Sequence, residues 1–184
     1  SPAGGTVVVG GTTANFDNKV VLGTGVTVTD ETLTLASSTG RAGLRYNSGS
    51  GTATWDGNIV FTGGWNYLGS DTAGGTLVVG ASADDTVTSA NQGFSVRGFG
   101  TVVINSTLSL GSGGIMRDDP GTLQLNAVNT DIGNSSVVQG TLKLGVANAL
   151  PPSRTLTIGK SGSVGAAVFD LNGMDQTISG LVEA

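Results

Sequence analysis

The sequence predicts an all-β protein built as a parallel β-helix, a β-solenoid of roughly eight coils with essentially no helix. Three observations carry this. A short motif, a turn residue followed by Thr and an apolar-x-apolar pair, recurs along the whole chain. Further strand-length runs rich in β-branched residues lie between its copies, bounded by Gly, Asn, Asp or Ser. No window of 11 or more residues keeps the 3.6-residue apolar period of an amphipathic helix.

In chain order the motif reads "GTVVV" from Gly5, "ETLTL" from Glu31, "GTATW" from Gly51, "GTLVV" from Gly75, "GTVVI" from Gly100, "GTLQL" from Gly121 and "GTLKL" from Gly140. The spacings are 26, 20, 24, 25, 21 and 19 residues and average 22.5. Between them stand "KVVL" at 19–22, "GVTVT" at 25–29, "NIVFT" at 58–62, "FSVRG" at 94–98, "TLSLG" at 107–111 and "TLTIG" at 155–159. A unit of this length with two or three strands suits one circuit of a parallel β-helix, in which each strand stacks on its counterpart a turn away at about 4.8 Å. An antiparallel sandwich also has regular short strands, but it does not require the same Gly-Thr signal at their starts.

Within each motif the two-residue period sends the apolar pair inward and Thr outward. The expected inward pairs are Val7 and Val9, Leu33 and Leu35, Leu77 and Val79, Val102 and Ile104, Leu123 and Leu125, and Leu142 and Leu144, with Leu108 and Leu110, and Leu156 and Ile158, off the main register. Trp55 falls on an inward position. Gly and Asn are assigned to the corners, where positive φ or Asx turns are needed.

Composition then narrows function. With 32 glycines, 38% hydrophobic residues and 11% charged residues, the chain is neither disordered nor helical in character. Eight scattered basic residues against 13 acidic ones give a net charge of −5, so no basic stripe awaits nucleic acid. The chain has no Cys and no His, which removes disulfides, thiolate chemistry, the commonest metal ligand and the usual general base. No apolar run approaches the roughly 20 residues of a membrane-spanning helix. "GGTLVVGA" and "GSGGIM" lack the Lys-Ser/Thr of a phosphate-binding loop. Neither a cofactor nor a metal is expected.

Residues 121–181 carry an ordered set of matches: Gly121 to Leu125, Asn129, Thr130, Gly133, Gly140 to Gly145, Ala149, Leu150, Phe169 to Gly173 and Gln176 to Leu181. This series resembles the passenger-associated repeat of bacterial autotransporters, the autotransporter-associated β-strand repeat. Asp131-Ile132 and Pro151-Pro152 depart from the family pattern. Upstream of residue 100 only the generic Gly-Thr signal remains, so residues 1–184 read as one solenoid domain with divergent coils over 1–99 and passenger-like coils over 100–184. The resemblance implies a right-handed β-helix, exported and displayed or released outside the cell. The opening "SPAGG" lacks the features of a signal peptide, as expected of a mature or excised segment, and neither end has an evident cap. Coils that continue in a longer polypeptide, or stacking on other copies, would cover such ends.

The expected function is accordingly non-enzymatic: an extracellular structural solenoid serving adhesion or self-association, including end-to-end filaments. Its expected partners are further copies of itself and host or matrix glycans or proteins, with no nucleic acid and no membrane span. The alternative is a carbohydrate-binding or polysaccharide-degrading β-helix. For glycan contact the candidates are Trp65 and Tyr67, two residues apart and so expected on one face, both buried or both displayed. For an acidic surface site the candidates are Asp118 and Asp119, since paired carboxylates serve as acid and base on glycosidic bonds; an Asp-Pro turn is the simpler reading.

Overall fold

The computed structural model describes residues 5–10, 17–38, 40–81, 84–160, 162 and 165–184, leaving out the side chains of 7–10. Among these residues there are twenty strands and no helix, and every strand pairing is parallel. The strands stack into three sheets along a solenoid of about seven turns. Sheet A holds β1 (Thr6–Gly10), β4 (Leu33–Ser37), β7 (Ile59–Gly63), β10 (Thr86–Ser89) and β13 (Thr107–Ser109). Sheet B holds β2 (Asp17–Leu22), β5 (Arg41–Tyr46), β8 (Asn66–Ser70), β11 (Phe94–Arg97), β14 (Ile115–Arg117), β16 (Ser135–Val137), β18 (Thr155–Ile158) and β20 (Gly180–Glu183). Sheet C holds β3 (Thr27–Thr29), β6 (Gly51–Asp56), β9 (Gly75–Val79), β12 (Thr101–Ile104), β15 (Thr122–Leu125), β17 (Gly140–Leu144) and β19 (Ala167–Asp170).

Each turn contributes at most one strand to a sheet, so the paired residues measure its length. Thr101 pairs Thr122, and Thr122 pairs Thr141, which are turns of 21 and 19 residues. Ile59 pairs Val87 across 28 residues. The repeat therefore drifts more widely than the motif spacing suggests, and its phase changes once. The first two copies of the motif lie on sheet A, and the next five lie on sheet C. The spacing of 20 from Glu31 to Gly51 crosses between sheets and is not a turn, and about seven turns stand where roughly eight were expected.

Alternation works as the motif requires. Leu33, Leu35, Leu77, Val79, Val102, Ile104, Leu108, Leu110, Leu123, Leu125, Leu142, Leu144 and Leu156 are buried, with Trp55 among them, and Ile158 packs partly buried against this core. The side chains of Val7 and Val9 lie outside the described residues. At roughly 1.5–3 kcal/mol for each fully buried aliphatic side chain, these ladders dominate the stability of the rod.

The glycines of the motif have two separate causes. Gly51 and Gly140 adopt φ of 134° and 82°, a region that L side chains rarely enter. Gly75, Gly100 and Gly121 do not. There the corner between sheets B and C is filled by a polar side chain: a Cβ would come closer than 3.0 Å to the Tyr46 ring, to Ser70 Oγ and to Arg117 Nη2, respectively. Tyr46 donates from this corner to the Ser48 carbonyl at 2.5 Å, and Ser70 Oγ donates to the Gly75 carbonyl at 3.0 Å. Asn91, Asn148 and Asn172 take positive φ at other corners, as expected of asparagine.

Below β13 the face of sheet A has no further strand among the described residues, only the isolated bridge between Ser109 and Asp131. Side-chain amides take over the pairing. Asn129, 1% exposed, accepts the Leu108 N–H at 2.8 Å and donates to the carbonyls of Ala127 and Ala149, both at 2.9 Å. Gln176 accepts the Leu150 N–H at 3.0 Å and returns a bond to the Leu150 carbonyl at 2.8 Å. Both residues lie within the stretch 121–181.

Candidate functional site

The chemistry-bearing side chains gather on the outer side of sheet B in turns one to five. Register makes this possible: Lys19, Gly43, Tyr67, Ser95, Met116 and Ser136 stand in one row, and Val21, Arg45, Gly69 and Arg97 in another. The small members of each row let the large ones lie flat. The Tyr67 ring covers Gly43 and the Arg45 guanidinium covers Gly69, each closer than a Cβ would permit. Arg45 Cζ stands 5.2 Å from the Tyr67 ring centroid, within cation–π range.

Tyr67 is only 3% exposed although its row faces outward, and its hydroxyl donates to Asp17 Oδ1 two turns away. Burial pushes the phenol upward and the hydrogen bond to Asp17 adds to this, so Tyr67 is a neutral donor. Burial by itself would raise Asp17, but the hydrogen bonds from Tyr67 and Lys19 outweigh it and hold the carboxyl below its ordinary value. Burial lowers Arg45, opposed by the fields of Tyr67 and Asp17, and its guanidinium contacts the Asp71 carboxylate.

Trp65 does not share this fate. It is 59% exposed. The expectation that Trp65 and Tyr67 would be buried or displayed together fails for two reasons. Trp65 precedes the first residue of β8, so strand alternation does not govern it. Tyr67, which does lie in the strand, is sealed by folding over a glycine. The Trp65 main-chain N–H donates to Ser37 Oγ at 2.8 Å, fixing the corner while the indole stays in solvent. Beside it runs a groove of about 220 Å³ lined by Gly64, Asn66, Ser95, Gly114 and Met116 among others.

Asp118 and Asp119 both face the preceding turn. Arg97 Nη2 donates to Asp118 Oδ2 at 2.7 Å, and the Gly98 N–H donates to Asp119 Oδ2 at 2.7 Å. In this arrangement the pair clamps turn five to turn four. Arg117, just before it, was not singled out by sequence. It stands in the inward row between Val96 and Val137 and is 1% exposed. Its guanidinium donates to the carbonyls of Gly121 at 3.0 Å, Val96 at 2.5 Å and Gly98 at 2.6 Å. Burial lowers it to about 10, against the fields of Asp119 and Asp118. The signal was present in "GIMRDD": Arg117 lies two residues after Ile115 and so shares its inward face.

No group of three or more Asp or Glu side chains converges as a metal site among the described residues, and no helix there is long and apolar enough to cross a membrane. Neither the family models, the curated proteins nor the solved structures gave a match to this chain.

Proposed function

We propose that the chain is a rigid scaffold segment of an extracellular bacterial β-solenoid, passenger-like in kind, which is displayed or released at the cell surface and provides surfaces for adhesion and self-association. The observation that carries this reading is the commitment of polar side chains to the neighbouring turn. Asn126 Nδ2 donates to Asn105 Oδ1 at 2.7 Å, Asn105 Nδ2 donates to the Gly80 carbonyl at 2.7 Å, and Asn129 and Gln176 clamp main chain a full turn away. Such groups hold a rod together. The passenger-repeat resemblance supports export, since two of its matched residues are these clamps.

Self-association is supported by the last described turn. Leu181 pairs with Leu156 in an inward row, yet it is 62% exposed. A second copy of the chain stacked on this face would bury it.

Two measurements test the reading. The chain is placed between an export signal and an outer-membrane translocator in a Gram-negative host; the expected result is protease-resistant, folded material on the cell surface, and material retained inside the cell would sink the passenger reading. Sedimentation over a wide concentration range is expected to show assembly that weakens in Leu181→Asp. A monomer at every concentration would remove self-association and leave the scaffold.

A further inference from the structure

We propose that the groove beside Trp65 is a binding site for a neutral oligosaccharide, a recognition function separate from the scaffold role. The groove crosses turns three, four and five at the corner between sheets A and B, taking residues 64–66, 93–95, 114 and 116 in turn. Successive contributions are spaced by one strand separation, about 4.8 Å, so the groove runs along the rod axis.

Its chemistry is specific in three respects. None of its lining residues is charged, while the nearby charges of sheet B are engaged with one another, Arg45 with Asp71 and Arg97 with Asp118. An uncharged ligand complements this lining, and an anionic or cationic one would lose its hydration without compensation. One wall is the exposed indole of Trp65, whose face suits the C–H side of a pyranose ring. The groove also presents a polar group to hydroxyls, the Ser95 side chain of the outward row, while Asn66 stands in the inward row with Ala42 and Phe94, is 3% exposed and donates Nδ2 to the Gly63 carbonyl at 2.8 Å. Phe94 lines the groove and packs against Phe61 with ring centroids 5.0 Å apart, so the base is stiff. At about 220 Å³ the groove is smaller than the roughly 300–1,000 Å³ of drug-sized ligand sites and suits single rings of a chain.

Gly64 separates a built groove from an accidental one. Gly93 and Gly114 must be glycine, because a Cβ at either would overlap the main chain of Gly114 or of Asn134. A Cβ at Gly64 would meet nothing within 4 Å, and its φ is not in the left-handed region. Neither packing nor backbone conformation demands glycine there. What a side chain at 64 would do is fill the groove.

The test is titration of the intact chain with neutral oligosaccharides of glucan, mannan, galactan and chitin type, with an acidic polygalacturonate fragment and an uncharged proline-rich peptide as comparators. Binding is read by calorimetry and by tryptophan emission, in which Trp65 is the exposed reporter and Trp55, 3% exposed, the buried one. At least one neutral oligosaccharide is expected to bind saturably and shift the Trp65 signal. Trp65→Ala should weaken it about tenfold or more, and Gly64→Leu should abolish it with thermal unfolding unchanged. Phe99→Ala, at an exposed aromatic on the corner between sheets B and C, should leave binding intact. The proposal is overturned if no neutral oligosaccharide binds, if binding survives both Trp65→Ala and Gly64→Leu, if Phe99→Ala removes it equally, or if only the acidic fragment or the peptide binds.

Discussion

Asn129→Ala offers the sharpest test of how the later turns hold together. The substitution deletes an acceptor and a two-pronged donor from a position that is 1% exposed. The Leu108 N–H loses its acceptor at 2.8 Å. The Ala149 carbonyl loses one of two donors but keeps the Asn129 main-chain N–H at 3.3 Å, and the Ala127 carbonyl loses the side-chain bond. A buried group left unpaired costs roughly 1–3 kcal/mol; one orphaned donor and two weakened acceptors therefore amount to about 2–4 kcal/mol. Global denaturation ranks variants but does not place a loss at one turn, because repeat arrays unfold turn by turn and need not be two-state. Native-state hydrogen exchange reads the site directly. At 1.36 kcal/mol per decade, the Leu108 amide should exchange about 30- to 1,000-fold faster, with amides near Leu33 and Leu35 unchanged. Asn129→Asp keeps the acceptor and loses the donor, so it should spare Leu108 more than the turn-seven side. A change below about threefold at Leu108 in Asn129→Ala would show that the main chain there finds another partner, and the clamp argument would fall.

Three further outcomes follow from the geometry. Gly121→Ala should destabilise by about 1–3 kcal/mol through overlap with Arg117 and the Gly100 carbonyl, whereas Gly64→Ala should stay within about 0.5 kcal/mol; chemical unfolding of the two variants in parallel checks the contrast. Arg117→Met should be tolerated far better than Arg117→Ala, because each carbonyl it serves also accepts a main-chain N–H, Val96 from Asp118, Gly98 from Gly121 and Gly121 from Thr141; the Ala variant adds a cavity costing about 2–5 kcal/mol, and equal melting temperatures for the two would refute this. Tyr67→Phe should flatten the acid limb of the stability profile. The folded-state pKa of Asp17 is depressed, so its contribution is present above the unfolded value of 3.8 and is lost as pH falls through the lower folded value; a variant whose unfolding profile is as steep as wild type below pH 4 would contradict the role given to the Tyr67 hydrogen bond.

The fold was legible because alternation and turn chemistry are local. Leu123 and Leu125 announce their inward face within five residues of sequence. The sheet to which a motif belongs is not local, because the same Gly-Thr start serves sheet A at Gly5 and sheet C at Gly121; only the register between turns separates them. The same limit hid the candidate site. Tyr67 meets Asp17 across 50 residues, and its burial depends on Gly43, in another turn. Trp65 was found in sequence, but its partners in the groove, Ser95 and Met116, come from two later turns whose lengths of 28 and 21 residues no single motif announces.

The turn-to-turn contacts also divide the surface by what it is free to do. Where strands are continuous, as on sheet C, the main chain pairs with itself and the outward side chains are left for other uses. Where the strand on the face of sheet A lapses after β13, Asn129, Asn148 and Gln176 must supply the missing pairing: Asn148 Oδ1 accepts the Thr177 N–H at 3.1 Å, in the same way as the other two. Residues so engaged, Asn129 and Gln176 among them, cannot vary without loosening the rod. Trp65 and Gly64 carry no such obligation: the indole is mostly in solvent, and a Cβ at 64 would meet nothing. A residue that packing does not require, placed at a groove that packing does not fill, is where selection for recognition can act, which locates any specificity of the rod at turns three to five rather than at the later turns, where Asn129, Asn148 and Gln176 are committed to holding the rod.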